Sequence, residues 1–204
     1  MINPESIEHN FFHNLNYSFD VSKLKRGDVL ISDPFLSDPN FARTVVLLSE
    51  YSKEDGAVGF ILNRPSEMEL CDVVLSFNGQ GYPFYFGGPV KTDGLFFVHQ
   101  RDLGIDDCHP INDELSWSSN FEEAQELHSN GKLPTSDIRF FGGYSGWSPN
   151  QLEQEIKEKS WIITSLNAEQ VLNGNENSLW KRSLKQLGAK FSIMSEFPEN
   201  PNMN

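Results

Sequence analysis

The stretch Arg139-Phe-Phe-Gly-Gly-Tyr-Ser-Gly-Trp147-Ser-Pro-Asn-Gln151 decides how this chain is read. Arg139–Phe141 is short and aromatic, as a buried strand is. Gly142-Gly-Tyr-Ser-Gly146 then reads as a tight turn, since glycine reaches backbone angles closed to other residues. Ser148 follows as an N-cap, with Pro149 at the first helical position and Gln151 at the third. Leu152 and Ile156 share one helical face, while Glu153/Lys157 and Glu155/Lys159 are outward i,i+4 pairs. Strand, glycine turn and capped helix in succession predict a chain that mixes α and β elements around one core.

The same alternation extends in both directions. Upstream, Asp28–Ser32, Arg43–Leu48 and Ala57–Leu62 are apolar or β-branched runs. The last two flank Ser52-Lys-Glu-Asp-Gly56, a charged separator ending in glycine, which predicts a hairpin. Tyr82–Phe86 and Gly94–Gln100 flank a Gly/Pro/Asp segment and predict a second hairpin; Trp161–Thr164 predicts a further strand. Ser66-x-x-Glu69 has capping-box spacing before Leu70, Val73, Val74 and Phe77, and predicts a helix. Ser119-x-x-Glu122 does the same before Phe121, Ala124 and Leu127, with Gly131 as its stop. Trp180, Leu184 and Leu187 form an apolar stripe closed by Gly188. Hairpins and helices in mixed order predict an antiparallel or mixed sheet with helices packed on it.

Composition sets the outer limits. The 204 residues are 38% hydrophobic and include 16 Phe, enough for one core. Residues 1–22 read as an N-terminal extension containing Phe11, Phe12, Tyr17 and Phe19. Residues 23–197 read as a single domain, and 198–204 as a frayed tail. Acidic residues outnumber basic ones 29 to 16, a net charge of -13. Such a body repels phosphate backbones and anionic lipid, so direct nucleic-acid binding and membrane association are disfavoured. Two cysteines, Cys71 and Cys108, make no disulfide framework and no zinc ladder. With no signal-peptide pattern at the start, a reducing cytoplasm is the expected location.

Candidate site residues each carry two readings. Gly142, Gly143, Ser145 and Trp147 stand where backbone N–H groups at a helix start would bind an anion, or they merely allow a tight turn. Ser145 has Gly143 two residues before it but Trp147 two after, so the Gly-x-Ser-x-Gly nucleophile pattern fails at its second glycine. Gly87 and Gly88 end one strand and turn the chain. Arg43, Asn63 and Arg64 suit a carboxylate or phosphate ligand, or ion pairs with acids such as Asp33 and Asp38. His99 lies on an alternating strand and reads as an inward core histidine or as a general base. Cys108-His109 is an isolated pair without metal-ligand spacing, and no metal or cofactor is implied.

Four ordered segments together carry a resemblance. They are Gly27-Asp-Val-Leu-Ile-Ser-Asp-Pro34 continuing to Val46, Gly56-Ala-Val-Gly59 through Pro65, Phe86-Gly-Gly-Pro-Val90 leading to His99, and Phe141-Gly-Gly-Tyr-Ser-Gly-Trp147 leading to Glu153. The chain resembles the YqgE/AlgH family of largely uncharacterised bacterial proteins over residues 25 to 190. The resemblance implies a mixed α+β fold whose sheet curls toward a pseudo-barrel with helices outside. It brings no established catalytic residues or cofactor, though one branch is labelled a transcriptional regulator. Where many members read Leu-Cys-Glu-His, this chain has Leu48-Ser49-Glu50-Tyr51, and the frequent Gly-His-Ala is missing from Phe191–Phe197. The expected function is therefore a non-catalytic binding or regulatory module with a protein or small-ligand partner. The alternative is a small-molecule hydrolase or transferase using His99 and Ser145.

Overall fold

A computed structural model describes residues 18–79, 81–174 and 176–197. Phe11, Phe12, Tyr17 and the tail from Pro198 lie outside the described residues. Ten strands form one sheet among the described residues: β1 (Val29–Ser32), β2 (Val45–Ser52), β3 (Gly56–Ile61), β4 (Pro65–Glu69), β5 (Pro83–Phe86), β6 (Val90–Gln100), β7 (His109–Pro110), β8 (Leu115–Ser118), β9 (Ile138–Trp147) and β10 (Trp161–Thr164). The helices are α1 (Leu70–Val73), α2 (Phe121–Ser129), α3 (Gln151–Lys157), α4 (Ala168–Asn173), α5 (Glu176–Gln186) and α6 (Ala189–Met194). The main path runs β10-β1-β2-β3-β9-β6-β8-β7, with β5 beside β9 and β4 beside β5. All pairings are antiparallel except β5 with β9.

The sheet is buried on both faces, which explains its unbroken apolar runs. Alternate residues sort into different clusters. Val29, Ile31, Val45, Leu47 and Phe141 join α4 and α5 through Val171, Leu172, Leu179 and Leu184. Leu30, Val46, Leu48 and Ile61 face the other way, onto Leu152 and Ile156 of α3. Phe97, Ile138 and Phe140 pack on Ala124 of α2 and on Phe77. The rings of Phe60 on β3 and Trp117 on β8 are 6.0 Å apart, although β9 and β6 lie between their strands. A flat sheet would separate those strands by about 14 Å. The sheet is therefore curled into a half-barrel, as the resemblance implied.

The first hairpin forms as predicted, pairing Val46↔Ile61 through Ser52↔Gly56 with one register shift between Leu48 and Glu50. Three local expectations are corrected. Ser66-Glu-Met-Glu69 is strand β4, paired with β5; the helix begins only at Leu70, with Glu69 and Asp72 forming the capping box. It ends after four residues, at the β-branched pair Val73-Val74, which crowds a helical turn. Tyr82–Phe86 and Gly94–Gln100 do not pair with each other. They flank β9, β5 through Phe84↔Phe140 and β6 through Phe97↔Phe140. Finally, Gly142–Trp147 is not a turn but the second half of β9, and α3 starts four residues after it.

Candidate functional site

The last two corrections explain the paired glycines. Because β5 and β6 lie on opposite edges of β9, residues 87–89 must cross over that strand. The crossing is backbone on backbone. A Cβ on Gly87 would stand 2.3 Å from the Gly143 carbonyl oxygen, and one on Gly88 would stand 2.3 Å from the Tyr144 carbonyl carbon. Gly143, at φ 69°, would drive a Cβ to 2.7 Å from the Gly88 oxygen. The Gly87 N–H donates to Gly142 O at 2.9 Å, and Gly87 O accepts from Ile61 N at 2.9 Å. Gly87, Gly88 and Gly143 thus meet backbone to backbone, while a Cβ on Gly142 would stand 2.9 Å from the Phe84 ring. Ser145, fully buried, donates its hydroxyl to Gly87 O at 3.2 Å and completes the same knot. Trp147 donates its indole N–H to Glu155 at 2.9 Å, and Trp161 shares that carboxylate oxygen at 2.7 Å.

His99 is buried and pairs with Ile138 at the opposite end of β9 from Ser145. Seven residues of extended chain separate those positions, on the order of 20 Å. The hydrolase alternative needs the two side chains within hydrogen-bond reach, and the fold does not bring them together. His99 Nδ1 lies 2.8 Å from Gln100 O, while Nε2 has no partner. Burial holds its pKa below the ordinary histidine value, opposed by the Gln100 carbonyl and by Glu123. A base whose folded pKa is lowered adds stability above its unfolded pKa, about 6.5, and loses it as pH falls toward the folded value. Denaturant unfolding at pH 7.5 and 5.5 is expected to show the wild type losing more stability than His99→Gln. Equal losses would show that His99 does not titrate in folding.

Arg43, Asn63 and Arg64 are neighbours that brace the loop before β2. Asn63 accepts from Val45 N and donates to Arg43 O, both at 2.8 Å. Arg64 donates to the carbonyls of Pro39 at 3.0 Å and Ala42 at 3.3 Å. Arg43, at φ 53°, lies over the Trp180 ring at 4.8 Å and donates to Phe197 O. Backbone carbonyls accept from both arginines, two from Arg64 and one from Arg43.

Two concavities emerge where sequence reasoning placed none. The first is a groove along the rim of the half-barrel, formed by cavities of about 290 Å³ and about 950 Å³ that share Arg26 and Pro110. One wall is the chain entering β1 and the β2–β3 hairpin; the other is β7 and the β7–β8 turn. Ser49, Glu50, Tyr51 and Asp55 line the smaller end, together with His109 stacked on Trp117 at 4.6 Å. Tyr51 donates to Glu153 at 2.7 Å, and burial with that carboxylate pushes its phenol up to about 12. The Trp117 indole N–H has no acceptor. Lys25, Arg26 and Arg101 line the larger end against Asp28 and Asp113. Burial raises the Asp28 pKa, opposed by its bond from the Lys25 N–H. Cys108 turns away, donating its thiol to Ile105 O at 3.2 Å. Among the described residues no group of three or more His, Cys, Asp or Glu is placed to hold a metal ion.

The second concavity, about 320 Å³, lies at the other end of β9 around Arg139. Arg139 is 2% exposed. It donates to Val171 O at 2.7 Å and Leu62 O at 2.6 Å, and its guanidinium lies 3.8 Å from the Tyr85 ring centroid. The signal was present in the sequence: one cation in the run Ile138-Arg139-Phe140-Phe141 must be buried with the strand that carries it.

No helix among the described residues is long and apolar enough to cross a membrane. A family model described as AlgH-like matches residues 29–192. A UPF0301 protein of Chlorobaculum tepidum is 38% identical over 181 residues, covering 89% of this chain and 96% of that one. A UPF0301 protein of Cytophaga hutchinsonii is 39% identical over 186 residues, with 89% and 100% covered. The solution structure of AlgH from Pseudomonas aeruginosa superposes with a TM-score of 0.69 at 25% identity, covering 89% of this chain and 98% of that one. The crystal structure of DIP2367 from Corynebacterium diphtheriae reaches 0.74 at 22% identity, covering 91% and 97%, and shares the fold. With these matches running nearly end to end through the crossed glycine pairs, the chain belongs to the AlgH-like, UPF0301 family of uncharacterised proteins.

Proposed function

We propose that this protein works by binding, and that the larger end of the rim groove holds an extended acidic segment of a partner protein. One observation carries the reading. Acidic residues exceed basic ones 29 to 16 in the chain, yet the larger end of the groove presents three cations against two carboxylates. Asp28, one of those two, is buried and already accepts the Lys25 N–H at 3.0 Å. Local reversal of a strong overall charge guides a complementary partner to one place on the surface. A wide polar groove suits an extended chain better than a fully enclosed small molecule. The stacked His109–Trp117 pair offers an aromatic platform at its narrower end.

The test uses fluorescence polarisation with fluorescein-labelled decaglutamate at low salt. Arg26 and Arg101 are exposed, so the double variant Arg26→Glu, Arg101→Glu is expected to fold normally. It should bind at least tenfold more weakly than wild type, and wild-type binding should fade as salt is raised. Equal affinities of variant and wild type, or no binding by the wild type at low salt, would sink the proposal.

A further inference from the structure

The Arg139 cavity is independent of the rim groove and lies at the opposite end of β9. Its chemistry starts from a buried charge with no carboxylate in contact; Glu176, on the same cavity wall, acts on it only from beyond ion-pair distance. The guanidinium is 2% exposed, and no carboxylate lies within 4.0 Å of it among the described residues. Its hydrogen bonds go to two neutral carbonyls, its face is covered by Tyr85, and Nε has no acceptor. Isolated buried charges are costly and are normally paired, so this one is poised to take an anion. Each Nη also retains a second N–H, and a guanidinium edge matches a carboxylate in bidentate fashion.

The cavity wall also carries Glu176, the first residue of α5. No hydrogen bond or ion pair engages its carboxylate among the described residues. A simple anion would meet repulsion from Glu176, and a simple cation would meet repulsion from Arg139. A ligand carrying both charges satisfies both walls. Thr135 adds a hydroxyl, and Leu172 and Ile138 add apolar surface for a short side chain. About 320 Å³ is at the small end of ligand pockets, and a single amino acid fits within it.

We infer that this cavity is a binding site for a small zwitterion of the α-amino acid class. Its carboxylate sits against the Arg139 guanidinium and its ammonium against Glu176. Specificity comes from the pair: removal of either ligand charge leaves one wall without its contact partner and sets the remaining ligand charge against a like charge on the other wall.

The experiment is a thermal-unfolding screen of the full chain with each of the twenty standard L-amino acids at 10 mM. The matching carboxylic acids without the amino group, and the matching amines without the carboxyl group, are screened beside them. At least one amino acid is expected to raise Tm by about 2–4 °C, the shift for a ligand at some ten times its Kd on a chain of this size. Its two half-molecules should leave Tm unchanged. Glu176→Gln lies at a partly exposed helix start, so it should fold, with a starting Tm lowered slightly by loss of its pull on Arg139, and lose the shift. No response to any amino acid overturns the inference. So does an equal response to a half-molecule, or a shift that survives in Glu176→Gln.

Discussion

Gly88→Ala is expected to cost about 3 kcal/mol or more, a large part of the stability of an ordinary domain. Two effects add. The added Cβ would stand 2.3 Å from the Tyr144 carbonyl carbon and 2.4 Å from Ser145 N, and Gly88 has φ 151°. Neither contact is with a flexible side chain, so the strands themselves must part. Gly87→Ala separates the effects, because its conflict is the 2.3 Å approach to Gly143 O without a positive φ. It too should cost about 2–3 kcal/mol, in the range for overpacking. Gly131→Ala is the control. Gly131 has φ 65° with nothing within 4 Å of its Cβ position, so backbone strain alone applies, about 1 kcal/mol. Urea unfolding of the three variants would rank Gly88 worst and Gly131 mildest. Near-equal midpoints for Gly87→Ala and wild type would mean that the crossing over β9 is misplaced.

Arg139→Met is the second large effect, with an expected loss of about 3 kcal/mol. The variant roughly keeps the volume and removes the buried charge, which by itself is favourable. It also strips the donors from Val171 O and Leu62 O, carbonyls that receive bonds of 2.7 and 2.6 Å in a dry environment. Leaving buried acceptors unsatisfied costs about 1–3 kcal/mol each. Val171 O lies in the last turn of α4, where a cation also favours the helix dipole. Hydrogen exchange should therefore accelerate first along α4 and at the end of β3. Arg139→Lys keeps the charge but not the flat fork, so it should fall between wild type and Met. If Met proves as stable as arginine, the guanidinium is not the strut that its geometry describes.

Much of the architecture was legible in local pattern. Asp28–Ser32 and Arg43–Leu48 read as strands from their apolar and β-branched runs, and the strands there are covered on both faces. The Ser52–Gly56 separator gave its hairpin, since turn chemistry acts within a few residues. Helix α2 is where its pattern placed it, though its cap is Asn120 rather than Ser119. The helix expected at Ser66 failed because pairing with β5 outweighed a capping signal worth about 1 kcal/mol.

The candidate site was far less legible. The paired glycines announced close backbone approach, but a glycine does not say what approaches it. A ligand, a turn and another strand all demand the same missing Cβ. Arg64 and Asn63 announced strong donors and acceptors, yet their partners are backbone groups some twenty residues away. Arg139, the most deeply buried cation described, was visible only as an exception to its strand.

By itself, the sequence determined the family, the apolar strands β1, β2 and β3 and the helices α2, α3 and α5, because periodicity and turn chemistry are local. Only the tertiary structure decided that β9 lies between β5 and β6, that Gly87, Gly88 and Gly143 serve this crossing, and that His99 and Ser145 are far apart. It alone placed Arg26 with Arg101 and Arg139 with Glu176. Strand order and charge neighbourhoods depend on which distant segments share space, and residue spacing along the chain carries no record of that.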